Sequence, residues 1–328
     1  MIKELRLEVN KHCNYDCVHC YTDKHEYDWL PMSRIKALLA ETKQGGGTDV
    51  SLTGGEPLID WRHVLEIAKE ARGHNLTVRL NTNGHLLTDE VVTELTPWIQ
   101  EFQVSLNGAD AEFFDWFVRR KGAFAKVIAG IQRLTAAGAY VTVRFTLMKE
   151  TAPQLVKTFQ LCDELGVQFF KVRAVVPAGQ IAPQTSAEAI GVMRRASEEF
   201  FEVASRSKME VRFNDGGAGI SVPATASNIT FMACLCGSDA LFVGADGKVA
   251  PCVFLRDYDK FQLGDARHEG LDSIYDSPRL KDFIGEKAEG CGNERADGCR
   301  AADLCTEEGK AEDEKRGVKQ RLRVIEQH

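Results

Sequence analysis

The chain has 328 residues and a mass of 36.4 kDa, more than an average domain and enough for one large core with an appendage. With 44% hydrophobic and 27% charged residues, its composition is that of an ordinary globular protein and excludes a disordered or collagen-like chain. A net charge of -7 and an isoelectric point near 5.7 give no general attraction to phosphate backbones or anionic lipid, so nucleic acid and membrane are set aside as partners.

Met1 runs directly into a strand-like segment, Glu4 to Val9, without the positive region and apolar stretch of a secretion signal. No apolar run approaches the length of about 18 residues that would span a bilayer, so a cytoplasmic location is expected. Glu4 to Val9, Asp49 to Leu52, Leu76 to Asn81, Phe102 to Ser105, Tyr140 to Leu147 and Phe169 to Val175 read as strands. Between them, Ser33 to Thr42, Trp61 to Ala71, Asp89 to Leu95, Phe124 to Ala137 and Pro153 to Leu165 carry apolar residues at helical spacing. Gly73, Gly138 and Gly166 stand where helices hand over to strands.

This alternation predicts an α/β fold of parallel strands joined by right-handed crossovers, and six units are too few for a closed eightfold barrel. A partial (β/α)6 TIM-type barrel is expected, with its site in the loops that leave the C-terminal ends of the strands. After a helical stretch from Ala187 to Ser205 the character changes, which places a boundary near residue 215 between a core (1–215) and a small cysteine-rich extension (216–328). Glu307 to Arg323, crowded with both charge signs, reads as a solvated helix.

Ten cysteines in a reducing compartment are free for metals and catalysis rather than disulfides. Cys13, Cys17 and Cys20 lie at the start, Cys162 stands alone in a helix as a packing residue, and Cys234, Cys236, Cys252, Cys291, Cys299 and Cys305 lie in the last third. Two separate metal-binding regions follow. In the first, three thiolates at x3 and x2 spacing can hold three irons of a cubane and leave the fourth open to a small molecule. A zinc knuckle completed by His19 is the competing reading, although zinc prefers a closed site of four protein ligands.

Cys13-Asn14-Tyr15-Asp16-Cys17-Val18-His19-Cys20 resembles the CxxxCxxC loop of the radical SAM superfamily, with His19 where that family has an aromatic residue, and about residues 4 to 180 match its order of elements. The resemblance implies a 4Fe-4S cluster on Cys13, Cys17 and Cys20, with the amine and carboxylate of S-adenosylmethionine (SAM) on the open iron. It also implies that an injected electron breaks a carbon-sulfur bond of SAM, giving methionine and a 5'-deoxyadenosyl radical. Gly54-Gly55-Glu56-Pro57, closing the second strand, is by itself an ordinary turn whose glycines admit a close approach and whose carboxylate and carbonyls accept hydrogen bonds. After such a cysteine loop it resembles the family's GGEP motif, which contacts the SAM amino group. By the same resemblance Asn81, Ser105 and Arg144 become SAM contacts, whereas Asn107 replaces the aspartate usual in that turn; simple turns at Asn83-Gly84 and Asn107-Gly108 are the alternative.

Leu241 to Cys252 reads as a β-hairpin with an Asp246-Gly247 turn that brings Cys236 and Cys252 together. This resembles the opening of the SPASM/twitch extension, which binds auxiliary iron-sulfur clusters. Cys299 and Cys305 keep one interval of that pattern, but six downstream cysteines cannot supply four thiolates to each of two clusters. One auxiliary 4Fe-4S cluster is therefore expected; two clusters with open or other ligands, and a structural zinc site, are the competitors. A spare cysteine that donates a hydrogen atom to a substrate radical is a further expectation, set against a merely surplus thiol.

The reading is thus a radical SAM enzyme that takes hydrogen from a biosynthetic substrate, either a ribosomal peptide or a sugar, nucleoside or aminoglycoside. Its electron donor would be a reduced flavodoxin or ferredoxin. The lack of an extra N-terminal domain weakens the peptide alternative without excluding a separate leader-binding protein. A GTP 3',8-cyclase of molybdopterin synthesis is the runner-up, against which stands the C-terminus Ile325-Glu326-Gln327-His328 in place of a Gly-Gly tail. A non-catalytic metal-binding scaffold is the reading of another class.

Overall fold

A computed structural model gives the fold; it describes residues 2–20, 29–175, 186–215, 219–232 and 235–290, with side chains to residue 285. In chain order the elements are β1 (Glu4–Asn10), α1 (Met32–Gln44), β2 (Asp49–Gly54), α2 (Trp61–Gly73), β3 (Thr77–Thr82), α3 (Asp89–Leu95), β4 (Glu101–Ser105), α4 (Ala111–Val118), α5 (Ala123–Ala136) and β5 (Val141–Leu147). They continue as α6 (Leu155–Glu164), β6 (Phe169–Ala174), α7 (Ala187–Ala204), β7 (Glu210–Asn214), β8 (Ile229–Phe231), β9 (Ala240–Val243), β10 (Lys248–Ala250), β11 (Gly264–Asp265), α8 (Leu271–Tyr275) and α9 (Pro278–Gly290).

All strands join one sheet in the order β11-β10-β9-β1-β2-β3-β4-β5-β6-β7-β8. The run from β9 to β8 is parallel, and only β9-β10-β11 is antiparallel. One face is apolar: Leu5, Leu7, Val78, Leu80, Phe102, Val104, Val143, Phe170 and Val172 are buried. Against it pack helical side chains such as Phe159 and Phe200, whose rings lie 5.3 Å apart. The opposite face carries Glu4, Arg6, Ser51, Arg79, Asn81, Glu101, Ser105, Arg144, Lys171 and Arg173, alternating with the apolar set as a pleated strand requires. Parallel sheets are ordinarily apolar on both faces, so a polar face marks an interior kept for something other than packing.

That face curls on itself. Lys171 on β6 senses the charges of Arg6 and Glu4 on β1, four strands lying between them in the sheet. Arg79 of β3 bridges Asp49 at 2.8 Å, Glu101 at 3.0 Å and Glu4 at 3.7 Å, tying β1 to β4 across the interior. The expected partial barrel is what forms.

The six predicted strands and five predicted helices are present, with ends displaced by at most two residues. The sequence did not announce α4, β7 or β8, and β7-β8 extend the sheet beyond the six expected units. Gly138 and Gly166 take φ of 71° as helix stops, but after α2 the left-handed turn falls on Asn75 (φ 57°), with Gly73 still helical. The β9-β10 hairpin turns at Gly247 (φ 84°), where only glycine is unstrained. Its attachment was not anticipated: β9 pairs in parallel with β1, Glu4 against Ala240 through Leu7 against Val243. The buried Arg256-Glu8 ion pair and the Lys11-Asp246 pair at 3.1 Å reinforce this junction. Among the described residues, no helix is long and apolar enough to cross a membrane. Cys162 is fully buried in α6, as expected of a packing residue. The charged segment Glu307 to Arg323 lies outside the described residues.

Candidate functional site

The cysteine loop leaves the C-terminal end of β1 and is held by α4, a helix that sequence periodicity did not reveal. Asp16 N–H donates to the Val118 carbonyl at 3.2 Å, Val18 N–H to Phe117 at 2.9 Å, and the Arg120 guanidinium to the Asn14 carbonyl at 2.8 Å. His19 stacks on Phe117 with centroids 4.9 Å apart, an aromatic-type contact at the place where an aromatic was expected. Tyr15 is buried, and its hydroxyl meets His85 Nδ1 at 2.9 Å. Burial, followed by the Cys17 and Glu56 charges, pushes the Tyr15 phenol far above its ordinary range, so it stays neutral. Cys13, Cys17 and Cys20 are only partly buried. Among the described residues, no three His, Cys, Asp or Glu side chains gather around one point as a single-ion site.

Glu56 is the centre of the arrangement. Its main chain joins the Gly54–Pro57 loop to the cysteine loop, Glu56 N–H donating to the His12 carbonyl at 2.7 Å and Asn10 Nδ2 to the Glu56 carbonyl at 3.2 Å. Its carboxylate reaches the loop after β3, accepting from Asn83 N–H at 2.6 Å, the Thr82 hydroxyl at 2.7 Å and Leu58 N–H at 3.0 Å. Burial outweighs these hydrogen bonds and pushes the carboxyl up to about 7. Gly54 and Gly55 let the two loops touch: a Cβ on Gly54 would overlap the Asn10 carbonyl, and one on Gly55 the carbonyls of Lys11 and His12. Asn83 closes the circle, donating to Asn14 Oδ1 at 2.7 Å. Three loops expected to converge on one mouth are therefore bonded to one another.

Below this mouth, Asn81 donates to Ser51 Oγ at 2.9 Å and accepts from Arg144 Nη1 at 2.6 Å. Ser105 stands in register with Arg144, and its partly exposed hydroxyl makes no hydrogen bond to the described residues. Asn107 is buried and caps β5 through Thr146 N–H at 2.6 Å, an acceptor role that an amide oxygen fills as well as a carboxylate. Pro57 begins a short 3-10 turn as its first residue.

The second thiol region faces the same interior. Cys236 and Cys252 are buried with Leu255, Phe261 and Phe283 in a small core of their own. Arg6 Nη1 points at Cys236 Sγ from 3.9 Å. The hydrogen bond from Cys236, then the charges of Arg173 and Arg6, hold the Cys252 thiol below its ordinary range and favour its thiolate. Cys234, Cys291, Cys299 and Cys305 lie outside the described residues.

These residues fit a cubane and a SAM molecule at the mouth. The donor set is three partly exposed thiols on one loop. Beside it, Asn10 Oδ1 and Asn14 Nδ2 are buried without a partner among the described residues, an acceptor and a donor left for a polar ligand.

Residues 7–162 match the Radical SAM superfamily, and residues 234–303 match the iron-sulfur cluster-binding SPASM domain. The AdoMet-dependent heme synthase of Methanosarcina barkeri is 32% identical over 266 residues, 76% of this chain and 76% of its own. The mycofactocin maturase MftC of Mycobacterium tuberculosis is 30% identical over 181 residues, 54% of this chain and 45% of its own. Streptococcus suis SuiB bound to S-adenosylmethionine superposes with a TM-score of 0.73 at 16% identity, covering 92% of this chain and 73% of SuiB. Native anSMEcpe with bound AdoMet superposes with a TM-score of 0.71 at 16% identity, covering 91% and 89%. At those identities the superpositions speak for the fold, a partial barrel with an appended cysteine-rich unit. With the cysteine loop, the bonded mouth and the second thiol pair in place, the chain belongs to the radical SAM superfamily of enzymes and carries a SPASM iron-sulfur domain.

Proposed function

We propose that this enzyme removes a hydrogen atom from a biosynthetic substrate held in the polar interior of the barrel, between the cysteine loop and the Cys236/Cys252 pair. Cys13, Cys17 and Cys20 hold the 4Fe-4S cluster, while Gly54, Gly55, Glu56, Pro57, Asn81, Ser105 and Arg144 form the SAM side of the mouth. SAM supplies the hydrogen-abstracting 5'-deoxyadenosyl group when it is reductively cleaved. The chain's own part is positional. Glu56 locks three loops together, Asn81 orients Arg144, and Ser105 presents a hydroxyl that no described residue claims. The observation that carries the reading is this mouth, opening on a strand face that is polar where packing would have made it apolar.

The boundary near 215, a cytoplasmic location, a flavodoxin or ferredoxin donor and one auxiliary 4Fe-4S cluster on Cys236, Cys252 and two of Cys234, Cys291, Cys299 and Cys305 belong to the same proposal. A peptide substrate is supported by the likeness to MftC and by a SuiB structure solved with precursor peptide SuiA. A tetrapyrrole is the second reading, supported by the relative named as a heme synthase, which matches over three quarters of both chains. A GTP 3',8-cyclase activity remains the alternative outcome.

The test is anaerobic reconstitution, cubane absorption, and 5'-deoxyadenosine formation with dithionite. Wild type should form the nucleoside and Cys17→Ala should form none. A protein without a cubane spectrum, or one whose spectrum ignores SAM, would overturn the proposal.

A further inference from the structure

Lys171 sits in the middle of β6 with its side chain on the polar face, between Phe170 and Val172 that point into the helical layer. The strand register sets it directly beside Arg144 of β5 on one side and Arg212 of β7 on the other, and Arg212 is exposed and lies over the Phe169 ring at 5.0 Å. Like charges placed directly opposite across strands destabilise a sheet, and a fold retains them only against some counterweight. Within the protein the counterweight is small. Glu4 and Glu101 are the carboxylates whose charge Lys171 feels, and each is already engaged: Glu4 by Arg6 at 3.0 Å, Glu101 by Arg79 at 3.0 Å and by the Thr142 hydroxyl at 2.7 Å. Among the described residues Lys171 has neither a hydrogen bond nor an ion pair.

Burial, then the charges of Arg144 and Arg6, bring its ammonium down to about 7. The site also faces the second thiol region. Arg6, which faces Lys171, points at Cys236, and Arg173, two residues along the same strand face, contributes to the lowering of Cys252.

The geometry points to Lys171 as the anchor for an anionic oxygen group of the substrate, a carboxylate or phosphate, held in the barrel interior between the two thiol regions. The inference rests on the proposed radical reaction, because it assumes that the interior is the substrate chamber. A bound anion would offset the repulsion of Arg144 and Arg6 on Lys171 and fix one end of the substrate on a strand rather than on a loop. SAM itself carries a carboxylate, and Arg144 is already assigned to it, so the two sources have to be separated by experiment.

Reconstituted holoenzyme labelled with 13Cε-lysine reports each lysine's titration by NMR, with Lys171→Gln serving only to assign the signal. Three probes are added: glutarate, inorganic phosphate and SAM. The expected result is that glutarate or phosphate raises the Lys171 titration by about one pH unit or more, with SAM present as well as absent, and moves surface lysines less. The inference is overturned if neither anion moves the Lys171 signal beyond the surface lysines. It is equally overturned if SAM alone gives the full shift and the anions then add nothing, since the anchor would belong to SAM. The cubane spectrum and 5'-deoxyadenosine yield of the same sample keep the two readings apart. A protein that makes the nucleoside while Lys171 ignores the anions loses only this inference.

Discussion

Replacing Glu56 by glutamine tests the central strap of the mouth. The carboxylate accepts from Leu58 N–H and the Thr82 hydroxyl on one oxygen and from Asn83 N–H on the other, with no cation paired to it among the described residues. A carboxamide is nearly the same shape, but its NH2 must face one of two backbone N–H groups, so a buried donor is left unmet at a cost of about 1–3 kcal/mol. The folded-state pKa of about 7 lies above the ordinary carboxyl value of 4.5, so the native protein binds the extra proton between those values. Wild-type stability therefore falls as pH rises through that window, by about 1.4 kcal/mol per unit and about 3 kcal/mol in all. Glutamine does not titrate. The deficit of Glu56→Gln, measured by urea unfolding of the anaerobic protein, should be largest near pH 5 and shrink toward zero by pH 8. A deficit that stays flat, or grows with pH, would mean that the buried carboxyl is ionised throughout and would refute the reasoning.

Gly55→Ala should lower the iron and sulfide bound on reconstitution and cost about 1–3 kcal/mol, because its Cβ overlaps carbonyls of the cysteine loop; Gly73→Ala, whose Cβ meets nothing within 4 Å, should leave iron loading unchanged. Arg256→Met should lower the unfolding free energy by about 3–5 kcal/mol, since it removes the ion-pair partner of buried Glu8 at the junction of β1 with the β9-β10 hairpin. Adding Glu8→Gln to that variant should restore much of the loss in the same unfolding measurement, and a double mutant no better than the single one would count against a desolvation penalty.

The parts of the protein legible in the sequence are those fixed by short-range pattern. The cysteine spacing, the glycine pair, the Asp246-Gly247 hairpin turn and the strand-helix alternation are all written within a few residues, and local chemistry carries them through folding. α4 escaped notice because its aromatic run, Phe113, Phe114, Trp116 and Phe117, serves the cysteine loop as well as the core and blurs the helical period. Tertiary structure alone decided the rest. Parallel pairing of β9 with β1 joins residues more than two hundred positions apart, and no local signal encodes such a register. Glu56 could be read as a ligand-facing carboxylate until the fold enclosed it and turned it toward Thr82 and Asn83. Lys171 looks like any strand lysine until β5 brings Arg144 beside it and the curled sheet half-buries it facing Arg6. The sequence by itself determined which chemistry the chain carries; which side chains face that chemistry, and with what charge, depended on how the sheet closed, because burial and the neighbours across strands set the energy of an ionised group.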